Sequence, residues 1–359
     1  MSQSSRSSLR RSWRSTLIHT ALGAAVVFGG ADLSAQASAA TRPSVGKTVK
    51  AGTGIYELAV SPSTGTLYVA STGGRDGTPE IRVFDAQTLD PKATITVPVA
   101  AYGLVINDRT QTLYSSNTRA GSVTAIDLRA NRVVREIKTP EDTVGHMREL
   151  VVDEEANRVY ASSYGRSGAV WVIDGATNEV LTVIQDVGNG TAGLALDAAG
   201  KRLYASNIQG NDVSVIDLNT NRVVQRIPSG GEGSINIAID PATSRLFVAN
   251  QGTGDLTVLD GRSGELLKTV KTGEGALGVR FDPANGFVYV ANRRAGTVSV
   301  VDGESYQVIA NLETGSHPNT VVIDAETNLA YVTNKARSGG RGAPPVDDPN
   351  GDTVTIIRP

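Results

Sequence analysis

Residues 287–303 read FVYVANRRAGTVSVVDG, in which two short apolar runs flank a polar loop with two adjacent arginines. Related text occurs six more times in this chain of 359 residues. The aromatic residue of the first run returns every 42 to 46 residues, at Tyr68, Tyr114, Tyr160, Tyr204, Phe247, Tyr289 and Tyr331. Self-similarity at a period of this length is typical of repeat architectures, so this stretch decides the fold class.

Each copy contains four short runs that are rich in β-branched and aromatic residues. In the sixth copy they are residues 277–282, 287–292, 297–302 and 307–312, separated by Gly, Asn, Asp and Pro. Alternation at period two between turn residues predicts a meander of antiparallel strands. Four strands per copy predict a propeller blade, so the sequence predicts an all-β, seven-bladed β-propeller.

The seventh copy ends with the chain after its third strand, and the missing strand is predicted at the other end. Residues 47–54 (KTVKAGTG) nearly duplicate residues 268–275 (KTVKTGEG), which form the outer strand and exit loop of the fifth copy. We therefore expect the N-terminal strand to complete blade seven. Pairing the two ends would close the ring and cover an open strand edge.

Residues 1–39 are predicted to be an export signal peptide. Four arginines within the first 14 residues precede a mostly apolar stretch, and small residues suited to cleavage follow at 35–39. One adjacent arginine pair leaves a twin-arginine route open beside the general one. We expect a periplasmic or secreted protein in which residues 40–359 form a single propeller domain.

Composition excludes several classes of site. The chain contains no cysteine, which rules out disulfides, thiolate zinc sites, covalently attached c-type haem and a lipoprotein anchor. Without residues 1–39, 30 basic and 35 acidic side chains remain, a net charge of −5. Nucleic-acid binding would therefore need a local cationic patch. We predict no cofactor, no membrane span after the signal, and a monomer.

Residues 331–334 read YVTN, and the other copies are degenerate forms of it. From about residue 45 onward the chain resembles the YVTN-repeat β-propellers, and most of all the periplasmic YncE-type seven-bladed proteins. The stretches RELVVDEEANRVY, VWVIDGATNEV, AGLALDAAGKRLY and SHPNTVVID carry the closer likeness. The resemblance implies an exported propeller without an established enzymatic activity and with affinity for single-stranded DNA. The long Gly/Pro loop at residues 335–352 departs from the repeat.

Function is expected where the copies differ, because the fold does not demand those residues. Small residues are the default in the loop that precedes the first strand of each blade, and the exceptions fall mainly in blades one, two, three and seven. We predict that they bind a ligand around one mouth of the central channel. The predicted set is Tyr56, Glu57, Tyr102, His146, Arg148, Glu149, Asn236, His317 and Asn319.

This set does not predict a metal site or assign a catalytic residue. His146 and His317 occupy corresponding positions of blades three and seven, on opposite sides of the ring, and a metal needs convergent ligands. Adjacent residues of a strand point to opposite faces, so His146, Arg148 and Glu149 should not converge without a bulge. A lactonase-like hydrolase with Glu149 or His146 as general base stays open as an alternative. The repeated aspartate after the third strand is predicted to cap a turn rather than bind metal.

The loops between the second and third strands emerge on the same face and contain most of the loop arginines. Arginines can grip phosphates, and a nearby tyrosine can stack a base. The alternative is that these charges only keep the surface soluble. We predict a non-catalytic binding scaffold for an anionic ligand or polymer, with single-stranded nucleic acid as a candidate; a protein partner on the loops of blades six and seven is the third possibility. The predicted anion-binding residues are Arg119, Tyr164, Arg166, Arg293 and Arg294, with Arg75, Lys335, Arg337 and Arg341 as further cations of these loops.

Overall fold

The computed structural model describes residues 42–74, 77–139, 145–338 and 346–359. The predicted export signal, residues 1–39, lies outside this part of the chain, as do Arg75 and Arg341. Within it, 28 strands form seven four-stranded antiparallel sheets. The first strand of each sheet contacts the first strands of its two neighbours, and that of the last sheet contacts that of the first. The predicted seven-bladed β-propeller is therefore confirmed.

The strands of blades one to four follow the chain from the channel outward. Blade one contains β2 (Ile55–Ser61), β3 (Thr66–Ser71), β4 (Glu80–Asp85) and β5 (Pro91–Thr96), with a short 3-10 helix (Pro62–Thr64) after β2. Blade two contains β6 (Leu104–Asn107), β7 (Thr112–Asn117), β8 (Ser122–Asp127) and β9 (Arg132–Ile137). Blade three contains β10 (His146–Asp153), β11 (Arg158–Tyr164), β12 (Ala169–Asp174) and β13 (Glu179–Ile184). Blade four contains β14 (Thr191–Asp197), β15 (Arg202–Asn207), β16 (Asp212–Asp217) and β17 (Arg222–Pro228).

The last three blades continue in the same order, except that the outermost strand of blade seven comes from the start of the chain. Blade five contains β18 (Ser234–Asp240), β19 (Arg245–Asn250), β20 (Asp255–Asp260) and β21 (Leu266–Lys271). Blade six contains β22 (Ala276–Phe281), β23 (Phe287–Asn292), β24 (Thr297–Asp302) and β25 (Val308–Glu313). Blade seven contains β26 (Pro318–Ile323), β27 (Ala330–Asn334), β28 (Thr353–Arg358) and β1 (Ser44–Lys50).

The closing strand is confirmed. β1 pairs antiparallel with β28, with Val49 opposite Val354 and the hydroxyls of Thr48 and Thr355 2.9 Å apart. Val49 also packs against a hydrophobic cluster that contains side chains of blades one and seven. The Lys47 ammonium donates to the carbonyl of Thr88 in blade one at 2.5 Å. The N-terminal strand thus holds the last blade together and ties it to the first.

The repeated aromatic residues fill the space between blades. Tyr114 of blade two, for example, is fully buried in one cluster with Met147, Leu150 and Trp171 of blade three. Burial of each such side chain stabilises the fold by about 1.5–3 kcal/mol. The repeated residues therefore serve mainly to pack each blade against the next.

The asparagine at the end of the YVTN-like run forms buried side-chain hydrogen bonds to the next strand of its blade. Asn117 Nδ2 donates to the hydroxyls of Ser122 (2.9 Å) and Thr124 (2.7 Å) on the next strand. Because a buried amide costs free energy unless it is paired, the amide group of Asn117 is satisfied by hydroxyls five and seven residues later. Asparagines buried at this place in the blade are Asn117, Asn207, Asn250, Asn292 and Asn334.

The predicted turn caps are also present. The carboxylate of Asp174 accepts the backbone N–H groups of Ala176 (2.8 Å) and Thr177 (3.1 Å), and its pKa is lowered mainly by the Thr177 hydrogen bond. Asp85 forms the same cap, which with Lys92 lowers its pKa to about 2. These aspartates therefore shape turns on the face opposite the mouth. The same cap is made by Asp85, Asp127, Asp174, Asp217, Asp260 and Asp302.

Candidate functional site

Seven corresponding residues, one from the first strand or preceding loop of each blade, line a single cavity of about 490 Å³ at the mouth of the central channel. We call this the mouth cavity, and we call the seven residues the channel ring. In blade order, the channel ring consists of Tyr56, Tyr102, Arg148, Ala192, Ile235, Leu277 and Asn319.

Hydrogen bonds between blades hold the channel ring in place. The Thr333 hydroxyl of blade seven donates to the carbonyl of Tyr56 in blade one at 2.7 Å. The Ser206 hydroxyl of blade four donates in the same way to the carbonyl of Ile235 in blade five at 3.0 Å. A hydroxyl on the second strand of one blade therefore fixes the ring residue of the next.

The residue after each channel-ring position alternates between a polar side chain and glycine. A Cβ atom on Gly103 would lie 2.6 Å from the carbonyl oxygen of Arg148 and 3.3 Å from Glu57 Oε2. A Cβ atom on Gly193 would lie 2.6 Å from the Cα of Asn236. The glycines are thus required by the close approach of neighbouring strands, and this leaves room for the polar side chains between them.

The first strands contain the bulge that the sequence analysis did not predict. In β10 the pairing with β11 shifts register between Met147 and Leu150. As a result His146, Arg148 and Glu149 all line the mouth cavity. The expectation that they would not converge is therefore corrected, and the cause is the irregular start of the strand. Similar register shifts occur near the starts of β2, β14, β18, β22 and β26.

Two glutamates from blades one and three lie at the mouth cavity and influence each other. Burial, followed by the nearby charge of Glu149, raises the pKa of Glu57 well above its usual value of 4.5. Burial also raises the pKa of Glu149, while the guanidinium groups of Arg280 and Arg148 oppose the rise. Glu57 Oε2 accepts the backbone N–H of Leu104 at 3.3 Å. The pair therefore carries less negative charge than two exposed glutamates would.

Arg280 interacts electrostatically with both glutamates, and the sequence analysis did not single it out. It lies on β22, three residues after the channel-ring Leu277, and its Nε donates to the carbonyl of Val321 at 3.4 Å. A usable signal exists in the repeat, because the other six blades have Ala or Val at this position: Ala59, Val105, Val151, Ala195, Ala238 and Val322.

Aromatic and cationic side chains share one side of the mouth cavity. The rings of Tyr56 and Tyr102 meet edge to face with centroids 4.5 Å apart. The Arg148 guanidinium carbon lies 5.9 Å from the ring centroid of Tyr164. Arg119 of blade two lines the same cavity, as does Arg293, which follows a strand of blade six but interacts electrostatically with Tyr56 and Arg148. Cations and aromatic faces therefore lie side by side, an arrangement suited to binding an anion with a planar or apolar part.

Lys335 is buried, although the sequence placed it among exposed loop cations. Its side-chain nitrogen donates to the carbonyl of Ile55 at 2.8 Å and lies 2.8 Å from the ring centroid of Tyr56. Burial, with a smaller contribution from Arg293, lowers the pKa of Lys335 to about 6. Burial also lowers the pKa of Arg293, and the neighbouring Arg148 adds to the effect. Two guanidinium groups, those of Arg148 and Arg293, thus lie together beside the mouth cavity, next to an amine that is mostly uncharged at neutral pH.

Three predicted site residues do not line the mouth cavity. His317 adopts a left-handed backbone conformation with φ of 41°, and its carbonyl accepts the backbone N–H of Lys335 at 3.1 Å. Burial, then Arg293 and Arg337, lowers the pKa of its imidazole. Arg166 is exposed. Arg294 lines a separate cavity of about 550 Å³ with Lys271 and Glu274.

The remaining predicted residues, by contrast, come together. Those that line the mouth cavity are Tyr56, Glu57, Tyr102, Arg119, His146, Arg148, Glu149, Tyr164, Asn236, Arg293 and Asn319.

The sequence analysis also did not predict an apolar wall on one side of the mouth cavity. Ala192, Ile235 and Leu277 of blades four to six form one small hydrophobic cluster, with Ile208 packed against it. The alignment of the copies already contained the signal, because Ile235 and Leu277 are not small residues. Their apolar character on a polar rim was overlooked.

Within the described residues, no group of three or more His, Asp or Glu side chains is placed to hold a metal ion. The same part of the chain contains no helix long and apolar enough to cross a membrane.

Comparison with known proteins gives one family match and several relatives. Residues 38–279 match the model of the YNCE-like beta-propeller family. The chain is 36% identical over 167 residues to the protein YncE of Escherichia coli K12. That alignment covers 44% of this chain and 47% of the YncE protein. It is 34% identical over 171 residues to YncE of Salmonella typhi, covering 45% and 48%. These alignments therefore span about half the length of the relatives.

Solved structures share the fold, and one example is an enzyme chain. A chain of the Kuenenia stuttgartiensis hydrazine synthase superposes with a TM-score of 0.67 over 78% of this chain and 92% of that one. The sequence identity is 18%, so the likeness concerns the fold alone.

Proposed function

Because this chain belongs to the YNCE-like beta-propeller family, we propose that it is a non-catalytic binding propeller that captures an anionic ligand in the mouth cavity. The rigid ring supplies the scaffold, and the residues in which the blades differ supply the contacts. We further propose that it acts in the periplasm or outside the cell, as the arginine-rich, apolar start of the sequence predicts.

The crowding of positive groups carries this proposal. Arg148 lies close enough to Arg293 to lower the pKa of Arg293, and Arg293 in turn lowers the pKa of Lys335. In the described part of the chain, none of these three side chains forms an ion pair with a carboxylate. Holding two guanidinium groups together costs free energy. Glu57 and Glu149, which interact with Arg148, offset that cost only in part, because burial raises their pKa values. A bound anion would remove that cost.

Single-stranded DNA is the candidate polymer that the family resemblance implies. Its phosphates suit Arg119, Arg148 and Arg293, and Tyr102 or Tyr164 offers an aromatic face for a base. Because such binding releases counterions, its affinity should fall steeply as salt is added.

We expect a labelled 12-nucleotide single strand to bind in 20 mM salt and to weaken strongly in 200 mM salt. Replacing Arg148 and Arg293 together by Ala should lower the affinity at least tenfold and reduce the salt slope by about 1.4, because two phosphate contacts with a single strand are lost. Fluorescence anisotropy measures both quantities. The matched control replaces the exposed turn arginines Arg129 and Arg262 on the opposite face by Ala. No binding in 20 mM salt, or an equal loss in the control, contradicts the proposal.

A hydrolytic function is the second candidate, and the bulge in β10 is the observation that favours it. The bulge lets His146, Arg148 and Glu149 line one cavity, so the geometric objection to a shared role is removed. Turnover of lactones or phosphoesters that is lost in Glu149→Gln would assign the chain to this class.

A further inference from the structure

We propose that the mouth cavity takes a small amphipathic organic anion, with its charged group at the arginine side and an apolar group against the wall of blades four to six. This inference rests on the proposed function, because it assumes that an anion binds in the mouth cavity. It adds the apolar half of the ligand, which the arginines do not contact.

The channel ring is divided into two chemically different arcs. Blades seven, one, two and three contribute Asn319, Tyr56, Tyr102 and Arg148, whereas blades four, five and six contribute Ala192, Ile235 and Leu277. The fold does not require apolar residues at these three positions, because the corresponding positions elsewhere are polar or aromatic. The division is therefore a property of the site rather than of the blade.

The two arcs face each other across one cavity. The blades follow one another around the ring, so blades four to six lie across the channel from blades one to three. The cavity of about 490 Å³ falls within the range of about 300–1,000 Å³ that is usual for small-molecule sites. One molecule that fills it would touch both arcs.

Each half of the site excludes a simpler ligand. A neutral apolar molecule would leave Arg148 and Arg293, which form no ion pair with a described carboxylate, without a direct partner in a partly buried place, where that is costly. A fully hydrophilic anion would leave uncovered the apolar surface that Ile235, Leu277 and the half-buried Ile208 present to the cavity. A single charged group joined to an apolar body satisfies both, because its burial removes apolar surface from water.

A series of carboxylates tests the inference without any mutation. We expect the affinity, measured by calorimetry, to rise from acetate to hexanoate to decanoate, by about fourfold for each methylene that the wall buries. Decanol, which has the tail but no charge, should bind far more weakly than decanoate. Equal affinity for the three carboxylates, or tight binding of decanol, would overturn the inference.

Matched variants locate the effect. Leu277→Asn should flatten the dependence on chain length, whereas Leu181→Asn, at a perimeter residue that is 53% exposed, should leave it unchanged. If Leu277→Asn lowers Tm, Ile235→Thr serves in its place. An equal effect of Leu181→Asn would mean that the tails bind the outer surface, which also overturns the inference.

The outcomes separate this inference from the proposed function. Oligonucleotide binding that needs Arg148 and Arg293, without any dependence on carboxylate length, would refute the amphipathic ligand and leave the proposed function intact. Failure of both the oligonucleotide and the carboxylates to bind would refute the two together.

Discussion

A chain that starts at Ala51, without β1, is expected to melt about 10 °C or more below a chain that starts at Arg42. The truncation exposes the edge of β28, removes the contact between the hydroxyls of Thr48 and Thr355, and uncovers Val354. Backbone hydrogen bonds contribute about 1 kcal/mol each, so a lost ladder of several bonds costs several kcal/mol. In a domain of this size each kcal/mol lowers Tm by about 2–4 °C. Thermal unfolding followed by circular dichroism gives the comparison.

Two single substitutions refine the same test. Val49 packs against the cluster shared by blades one and seven, whereas Val45 is 41% exposed. Val49→Asp should therefore lower Tm and Val45→Asp should not. If the two chains of different length melt together, the ends do not close the ring. The conclusion that the predicted site residues lie around one mouth of the channel would then fail as well, because it depends on a closed ring.

Replacing Lys335 by Met is expected to stabilise the protein at pH 5, and the gain should disappear as the pH approaches 10. The folded chain holds the pKa of Lys335 at about 6, compared with a usual value of 10.5. Between these values the unfolded chain binds a proton that the folded chain lacks, so the stability of the wild type rises with pH. The stability that the wild type loses by burying this amine is therefore lost in full below pH 6 and not lost above pH 10.5.

The size of this effect follows from the same values. At 1.36 kcal/mol for each unit of pKa, the deficit is at most about 6 kcal/mol at pH 5. Loss of the hydrogen bond from Lys335 to the carbonyl of Ile55 offsets about 1 kcal/mol of the gain. Because that bond is lost at every pH, the variant should be slightly less stable than the wild type near pH 10.

The groups that face Lys335 are Arg293, Asp352, Tyr56 and His317, and they are the same in both proteins. The difference in Tm between them therefore isolates the lysine. Lys268→Met, at an exposed position on β21, is the matched control and should show a difference that does not vary with pH. A Lys335→Met variant that is less stable than the wild type at pH 5 would show that this amine is not held uncharged.

The architecture could be predicted almost completely because each blade repeats the same local pattern. The aromatic at Tyr289 and its counterparts gave the period, and the near-duplicate of residues 268–275 at residues 47–54 gave the closing strand. Both are local signals of four to eight residues. The turn aspartates were predictable for the same reason, since their hydrogen bonds reach only two and three residues along the chain.

The site was only partly predictable, because its decisive features depend on contacts far apart in the chain. Lys335 is buried by Ile55 and Tyr56, which lie about 280 positions away. The bulge in β10 leaves no mark on the alternation of polar and apolar residues, so the convergence of His146 and Glu149 was not foreseen. His317 was placed by analogy with His146, but its backbone is left-handed and it does not line the mouth cavity.

The most direct test of the account follows the arginine side chains themselves. In a sample labelled with 15N-arginine, the side-chain signals of Arg148 and Arg293 should shift when the single-stranded oligonucleotide is added in 20 mM salt. The signals of Arg129 and Arg262, on the opposite face, should stay in place. Shifts confined to Arg166, Arg294 or the opposite face, with Arg148 and Arg293 unmoved, would contradict the claim that the anion is captured in the mouth cavity.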